Sequence, residues 1–161
     1  AEVEWRPFLI GGVVKASGNL MPAANPVKGQ YMFQDLRRLF AYYNEPFGFP
    51  SRFPMNSLQA MRCITALPAE QRPAATLTLY RAYWGEDRDL ADPAVLSELL
   101  GADVVARASD EGVKAELKAA TEDAASRGAF GAPTFFVGKD MYFGEDRVFL
   151  IEHALEQKKA G

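Results

Sequence analysis

Of 161 residues, one is cysteine and one is histidine. A single Cys63 excludes an internal disulfide and any Cys-x-x-Cys redox pair. Thiol scarcity of this kind fits a reducing compartment, so a cytoplasmic location is expected. Basic residues are not in excess either. Eighteen Lys and Arg stand against 21 Asp and Glu, a net charge of −3, which argues against nucleic acid or an anionic membrane as partner. Long apolar runs are also missing. The longest, Leu9–Val14, is far too short to span a bilayer. No basic segment leads into an apolar one, so no signal peptide is expected. The chain opens on Ala1, directly in a strand-like stretch. This favours an upstream segment lying outside the sequence, or a processed start.

What is present is ordinary globular material, enough for one core. Ala1–Ile10 alternates weakly (Val3, Trp5, Phe8, Ile10) and stops at Gly11-Gly12, predicting a strand. Val13–Asn25 is rich in Gly, Asn and Pro and reads as a loop. Apolar residues at helical spacing predict a helix over Lys28–Asn44, ended by Pro46. Phe47–Pro54 reads as a structured loop. Helices are predicted from Asn56 or Ser57 to Leu67, over Gln71–Trp84, from Pro93 to Leu100 behind an Asp92 cap, and over Ser109–Ser126. Thr134–Val137, a Gly138-Lys139-Asp140 turn and Met141–Phe143 then make a hairpin signal. A last helix covers Glu145–Lys158, with Val148, Ile151, Ala154 and Leu155 on its core face.

The order is strand, helical block, hairpin, helix, hence an α/β fold. A lone strand and a lone hairpin are each unstable, so the two ends are expected to meet in one sheet. Residues 1–27 and 128–161 would then form one discontinuous domain, with 28–127 as an all-helical insertion.

The segment Gly128–Arg147, GAFGAPTFFVGKDMYFGEDR, carries the chemistry. Proline cannot donate to a sheet ladder, so Pro133 sits badly inside a strand. As a cis proline it would leave the N–H and C=O of Ala132 open to an extended peptide ligand. The plainer alternative is a strand-start proline. Phe143-Gly144-Glu145-Asp146 leads into the last helix, whose first N–H groups are unpaired and favour an anion. Asp146 could grip a ligand ammonium; Glu145 and Asp146 could equally be first-turn acids that compensate the helix dipole.

Gly-x-Pro-Thr-Phe-Phe-Val, a short hairpin, Phe-Gly-x-Asp-Arg and a closing helix resemble the C-terminal half of thioredoxin-like proteins with a helical insert. Periplasmic disulfide oxidoreductases, kappa-class glutathione transferases and 2-hydroxychromene-2-carboxylate isomerases share this pattern. Gly11-Gly12-x-x-Lys15 with Gly18-Asn19 and Asn25, Phe49-Pro50 through Asn56, and Trp84-Gly85-Glu86 are most similar to the isomerases. The resemblance spans essentially the whole chain. It implies a thioredoxin-like sheet with a large helical insertion, in which the family's first strand, loop and helix, about thirty residues, are absent from this sequence. That loop carries a Ser that hydrogen-bonds the glutathione sulfur in the family. No residue here matches it; Ser17, Ser51 and Ser57 lie in other contexts.

The resemblance further implies a reaction: glutathione-dependent interconversion of 2-hydroxychromene-2-carboxylate and trans-o-hydroxybenzylidenepyruvate, in aromatic catabolism, by a homodimer. Glutathione would be cofactor and the substrate a small aromatic keto acid. Ala132, Pro133, Phe143, Gly144, Glu145 and Asp146 would hold the cofactor. Lys15 and Asn25 would act as catalytic groups on a substrate oxygen, and Pro26, Phe53 and Trp84 would help line the substrate slot. The plainer readings are a solvated lysine at Lys15, a turn residue at Asn25 and core packing for Phe53 and Trp84.

His153 lies mid-helix without a catalytic partner, and Cys63 reads as a small buried residue. Glu86, Asp87, Asp89 and Asp92 lack a calcium-loop pattern and read as a solvated loop, so no metal is expected. Three other functions remain open: a kappa-like transferase, a thiol–disulfide oxidoreductase whose cysteines lie upstream, and a non-catalytic binding protein lacking the Ser.

Overall fold

The computed structural model describes residues 1–20 and 22–160. Residues 1–9 run extended, but no backbone group of residues 1–8 bonds another backbone group among the described residues. The predicted first strand is therefore extended chain without a sheet partner. The next prediction is also corrected. Ile10–Ser17 is a helix (α1), not the end of a strand followed by a loop. Gly11-Gly12 was the misleading signal. These glycines sit inside the helix, and Gly12 is needed where α1 meets α7 (Glu111–Ser126). A Cβ on Gly12 would stand 2.8 Å from Cγ2 of Thr121. The close approach buries Val13 completely, beside Ala124 and Ala129, and this packing outweighs the helical penalty of glycine.

Pro22–Ala24 is a single 3-10 turn. Then α2 spans Pro26–Tyr42, starting two residues earlier than predicted. Asn25 caps it, its side chain accepting from Val27 N–H at 3.0 Å and Lys28 N–H at 3.2 Å, and Pro26 takes the first helical position. Four further helices follow: α3 (Leu58–Thr65), α4 (Arg72–Glu86), α5 (Pro93–Leu100) and α6 (Ala102–Arg107). The six-residue α6 was not anticipated. Gly101 (φ 99°) reads as a terminator, yet it serves as both the C-cap of α5 and the N-cap of α6.

Ala60, Cys63, Ile64, Leu79, Leu96 and Val104 form the heart of the main hydrophobic core, drawn from α3 to α6. Helix α7 packs on both α3 and α1, and so touches this core and the smaller cluster around Val13. Arg72 fastens the α3–α4 corner to α7. Its guanidinium donates to the carbonyls of Thr65 (3.0 Å) and Leu67 (3.1 Å) and to Glu116 (2.7 Å).

The hairpin is β1 (Thr134–Val137) and β2 (Asp140–Phe143), antiparallel, with Thr134 opposite Phe143 and Val137 opposite Asp140. Gly138 (φ 67°) supplies the positive φ that a tight turn requires. A 3-10 turn, Glu145–Arg147, leads into α8 (Val148–Ala160). Among the described residues the sheet has these two strands alone, so the expected joining of both chain ends in one sheet is not seen. A groove lies between residues 1–8 and β1, which keeps the extended segment out of pairing reach. The arrangement remains helix-rich with a small sheet. No helix among the described residues is long and apolar enough to cross a membrane.

Candidate functional site

The turn after α7 builds the first part of the site. Gly131 is buried, and a Cβ there would fall 2.6 Å from the Phe143 ring, so only glycine lets the two meet. Phe143 also packs on Phe130, with ring centroids 4.5 Å apart. The Ala132–Pro133 peptide is cis. Pro133 accepts a hydrogen bond from Gly144 N–H at 3.1 Å, which seats the start of the last helical segment beside the proline. Ala132 and Pro133 are exposed. Among the described residues the N–H and C=O of Ala132 have no hydrogen-bond partner. Gly144 has φ 98°, and a Cβ on it would lie 2.6 Å from Oδ1 of Asp146. That carboxylate therefore folds back over Gly144, and it also pairs with Arg147.

These elements bring Ala132, Pro133, Phe143, Gly144, Glu145 and Asp146 into one small surface. It presents an open main-chain amide and carbonyl, the start of a helical segment with unpaired N–H groups, and a carboxylate. Such a surface can take an extended peptide main chain along with a carboxylate or ammonium end.

A second group forms in the helical part. Phe53 stands 6.0 Å from Trp84, 5.9 Å from Phe33 and 5.5 Å from Phe49, centroid to centroid. Phe33 and Phe49 meet edge to face at 4.6 Å. The 47–49 loop is held against the end of α4 by Gly48 N–H donating to the Trp84 carbonyl at 2.6 Å. Phe49 is 42% exposed, so this aromatic surface is open at one side. Sequence reading named Phe53 and Trp84 but missed Phe33. The signal was available, since Phe33, Leu36 and Phe40 share a face of α2 at i, i+3 and i+7.

Lys15 lies in the last turn of α1, exposed, on a helix and not on the loop where it was expected. The chain after it is pinned near the Pro133 turn, because Asn19 Nδ2 donates to the Phe130 carbonyl at 3.1 Å. Asn25 and Pro26 form the start of α2, and the Asn25 oxygen is used for capping. Among the described residues, no hydrogen bond or ring contact joins the Pro133 surface to the aromatic group.

The other residues singled out in the sequence lie outside both groups. Cys63 is fully buried, and burial pushes its thiol up to about 11. Asp87 accepts from Ser51 N–H (2.8 Å) and Oγ–H (3.0 Å), which hold its carboxyl below the usual range. Asp89 pairs with Arg52 at 3.2 Å, and Asp92 caps α5. His153 is exposed on α8.

The chain as a whole is similar to known proteins. The DSBA-like thioredoxin domain matches residues 1–156. Human glutathione S-transferase kappa 1 is 33% identical over 180 residues, covering 99% of this chain and 80% of that protein. The 2-hydroxychromene-2-carboxylate isomerase of Pseudomonas putida is 34% identical over 153 residues, covering 87% and 72%. A solved structure of 2-hydroxychromene-2-carboxylate isomerase superposes with a TM-score of 0.80 at 29% identity, covering 94% of this chain and 78% of that one.

Proposed function

Because the chain belongs to the DSBA-like thioredoxin domain family, we propose that it is a glutathione-dependent isomerase that interconverts 2-hydroxychromene-2-carboxylate and trans-o-hydroxybenzylidenepyruvate. The observation that carries this reading is the open main chain of Ala132, set beside Gly144 and the start of the last helical segment. Relatives named as this isomerase and as kappa glutathione transferase support it.

The donor set fits glutathione. Ala132 would pair with the cysteinyl main chain as an added strand. The N–H groups at Glu145 and Asp146 would receive the γ-glutamyl carboxylate, and the Asp146 carboxylate its ammonium. Phe143 and Pro133 would give the tripeptide an apolar edge. Bound glutathione supplies a thiol that adds reversibly to a conjugated double bond, so that the bond can rotate. Lys15 would stabilise negative charge on the substrate as a point charge, and Asn25 would donate through Nδ2, since its oxygen caps α2. Phe53, Trp84 and Phe33, with Pro26, would flank the flat aromatic ring.

Titration calorimetry with glutathione, followed by an absorbance assay of the isomerisation, tests the reading. Glutathione should bind, Asp146→Asn should weaken it, and Lys15→Met should lower kcat/KM by about 10²-fold with glutathione affinity unchanged. No heat of binding and no turnover would overturn it.

A kappa-like transferase is the second reading, supported by the human kappa relative at 33% identity over 99% of this chain. It predicts that a stable thioether accumulates in place of isomerised substrate.

A further inference from the structure

The loop that carries Phe49 and Phe53 is fastened by polar contacts on one side only. These contacts run to the last turn of α4 and the residues just beyond it. Gly48 N–H donates to the Trp84 carbonyl at 2.6 Å, and the Tyr83 hydroxyl donates to the Arg52 carbonyl at 2.8 Å. Ser51 N–H and Oγ–H donate to Asp87 at 2.8 and 3.0 Å, and Arg52 pairs with Asp89 at 3.2 Å. Toward α2 the loop meets rings alone. Phe33 touches Phe49 and Phe53, and Phe40 touches Phe47 at 4.8 Å. Among the described residues no hydrogen bond or ion pair joins α2 to residues 47–55. Apolar contact is non-directional, whereas a hydrogen bond fixes distance and angle. The wall on the α4 side is therefore set, and the α2 side can give.

Tyr83 is the buried member of this set. It is 6% exposed, and its ring meets Trp84 edge to face at 5.1 Å. Ser51, Arg52 and Asp87 are exposed, where water competes for each bond and salt screens the ion pair. One side chain thus touches Trp84 with its ring and holds, through its hydroxyl, the residue before Phe53. Phe53 and Trp84 are themselves a direct aromatic pair, 6.0 Å apart and tilted by 51°. A substrate ring would lie against the pair and not between its members, so the relative placement of the two rings sets the shape of that wall.

We propose that Tyr83 is a positioning residue for the aromatic substrate: its hydroxyl fixes the Arg52 main chain, and through it holds Phe53 against Trp84 as one wall of the slot. This deepens the isomerase reading and rests on it. Asp87, bonded to Ser51, is a second and more solvated fastening of the same wall.

Steady-state kinetics on 2-hydroxychromene-2-carboxylate at saturating glutathione, with calorimetry for glutathione itself, test the proposal. Tyr83→Phe should raise KM about fivefold, with kcat within about twofold and glutathione affinity unchanged. Asp87→Gly keeps the left-handed backbone and loses the acceptor, and should raise KM about two- to threefold. Asp87→Asn keeps an acceptor oxygen and should stay near wild type. Arg72→Met, at the other end of α4, should leave KM unchanged although it lowers stability. An active wild type whose KM is not moved by Tyr83→Phe would overturn the positioning role and leave the isomerase reading standing. A KM raised equally by Arg72→Met, or glutathione affinity lost in Tyr83→Phe, would also overturn it. Should Tyr83→Phe not fold, the Asp87 variants decide, and equal KM in Asp87→Gly and Asp87→Asn overturns it. A wild type without turnover would overturn both readings.

Discussion

Thr121 holds Leu9 in place: its hydroxyl accepts the Leu9 N–H at 3.0 Å and donates to the Leu117 carbonyl at 2.7 Å. Both hydrogen-bonding directions are used, so the side chain cannot rotate away without losing them. Its methyl then faces Gly12, at 2.8 Å from where a Cβ would be.

This geometry separates two adjacent glycines. Gly11→Ala meets nothing within 4 Å and should be neutral or stabilising by up to about 1 kcal/mol, from helix propensity. Gly12→Ala gains the same propensity but overpacks the α1–α7 contact, and should be destabilising by about 1–3 kcal/mol net. Thr121→Ser, which removes the methyl and keeps the hydroxyl, should recover most of that loss. Urea unfolding of the two singles and the double variant measures this. A Gly12→Ala protein as stable as Gly11→Ala would contradict the close approach.

Arg72 is only 12% exposed in its side chain and makes three hydrogen bonds, two to backbone carbonyls and one to Glu116. Replacement by Met keeps the aliphatic bulk but leaves the Thr65 and Leu67 carbonyls without that donor. A loss of about 2–3 kcal/mol is expected, read as a lower urea midpoint with an unchanged slope. Lys118→Met removes an exposed partner of Glu122 and should change little.

Asp87 gives a pH prediction. Its carboxyl is held below the usual range chiefly by the Ser51 N–H, then by the Ser51 hydroxyl. A depressed native pKa means that the unfolded chain binds the proton more readily. The contribution is therefore complete above the ordinary carboxylate range and fades as pH falls through the depressed native value. Asp87→Asn tolerates the same left-handed backbone (φ 54°). The gap in melting temperature between wild type and Asp87→Asn should be present near neutrality and close in acid. A gap independent of pH would refute the assignment.

Cys63 titrates in the opposite sense. Burial raises its thiol from 9.0 to about 11, so at a given pH below both values the native protein carries roughly a hundredfold less thiolate than the unfolded chain. Folding is favoured by this group fully below pH 9, and the contribution is lost as pH rises toward 11. A disulfide reagent near neutral pH should modify the native protein far more slowly than the protein in urea. Equal rates would show that the thiol is accessible. This buried position also makes Cys63 unsuitable as a catalytic nucleophile.

Much of the fold was legible in the sequence where one local signal coincided with one local outcome. Asp92-Pro93 starts α5, the Ala- and Glu-rich run forms α7, and Gly138 marks the hairpin turn. Ala132, Pro133, Phe143, Gly144, Glu145 and Asp146 could be grouped because they lie within fifteen residues. The failures arose where long-range packing overrode a local signal. Gly11-Gly12 reads as the end of a strand, but contact with Thr121, more than a hundred residues away, makes glycine the residue that fits α1 at position 12. Val3 and Trp5 carry a strand's alternation, yet pairing depends on a partner edge that is not beside them.

The sequence by itself determined the helix caps at Asn25 and Asp92 and the hairpin, because each depends on backbone preferences spanning a few residues. Only the tertiary structure decided that Lys15 rides on a helix, that Phe33 joins Phe53 and Trp84, and that residues 1–8 stand across a groove from β1. Those outcomes depend on which surfaces meet, a balance of buried area and steric fit between segments distant along the chain.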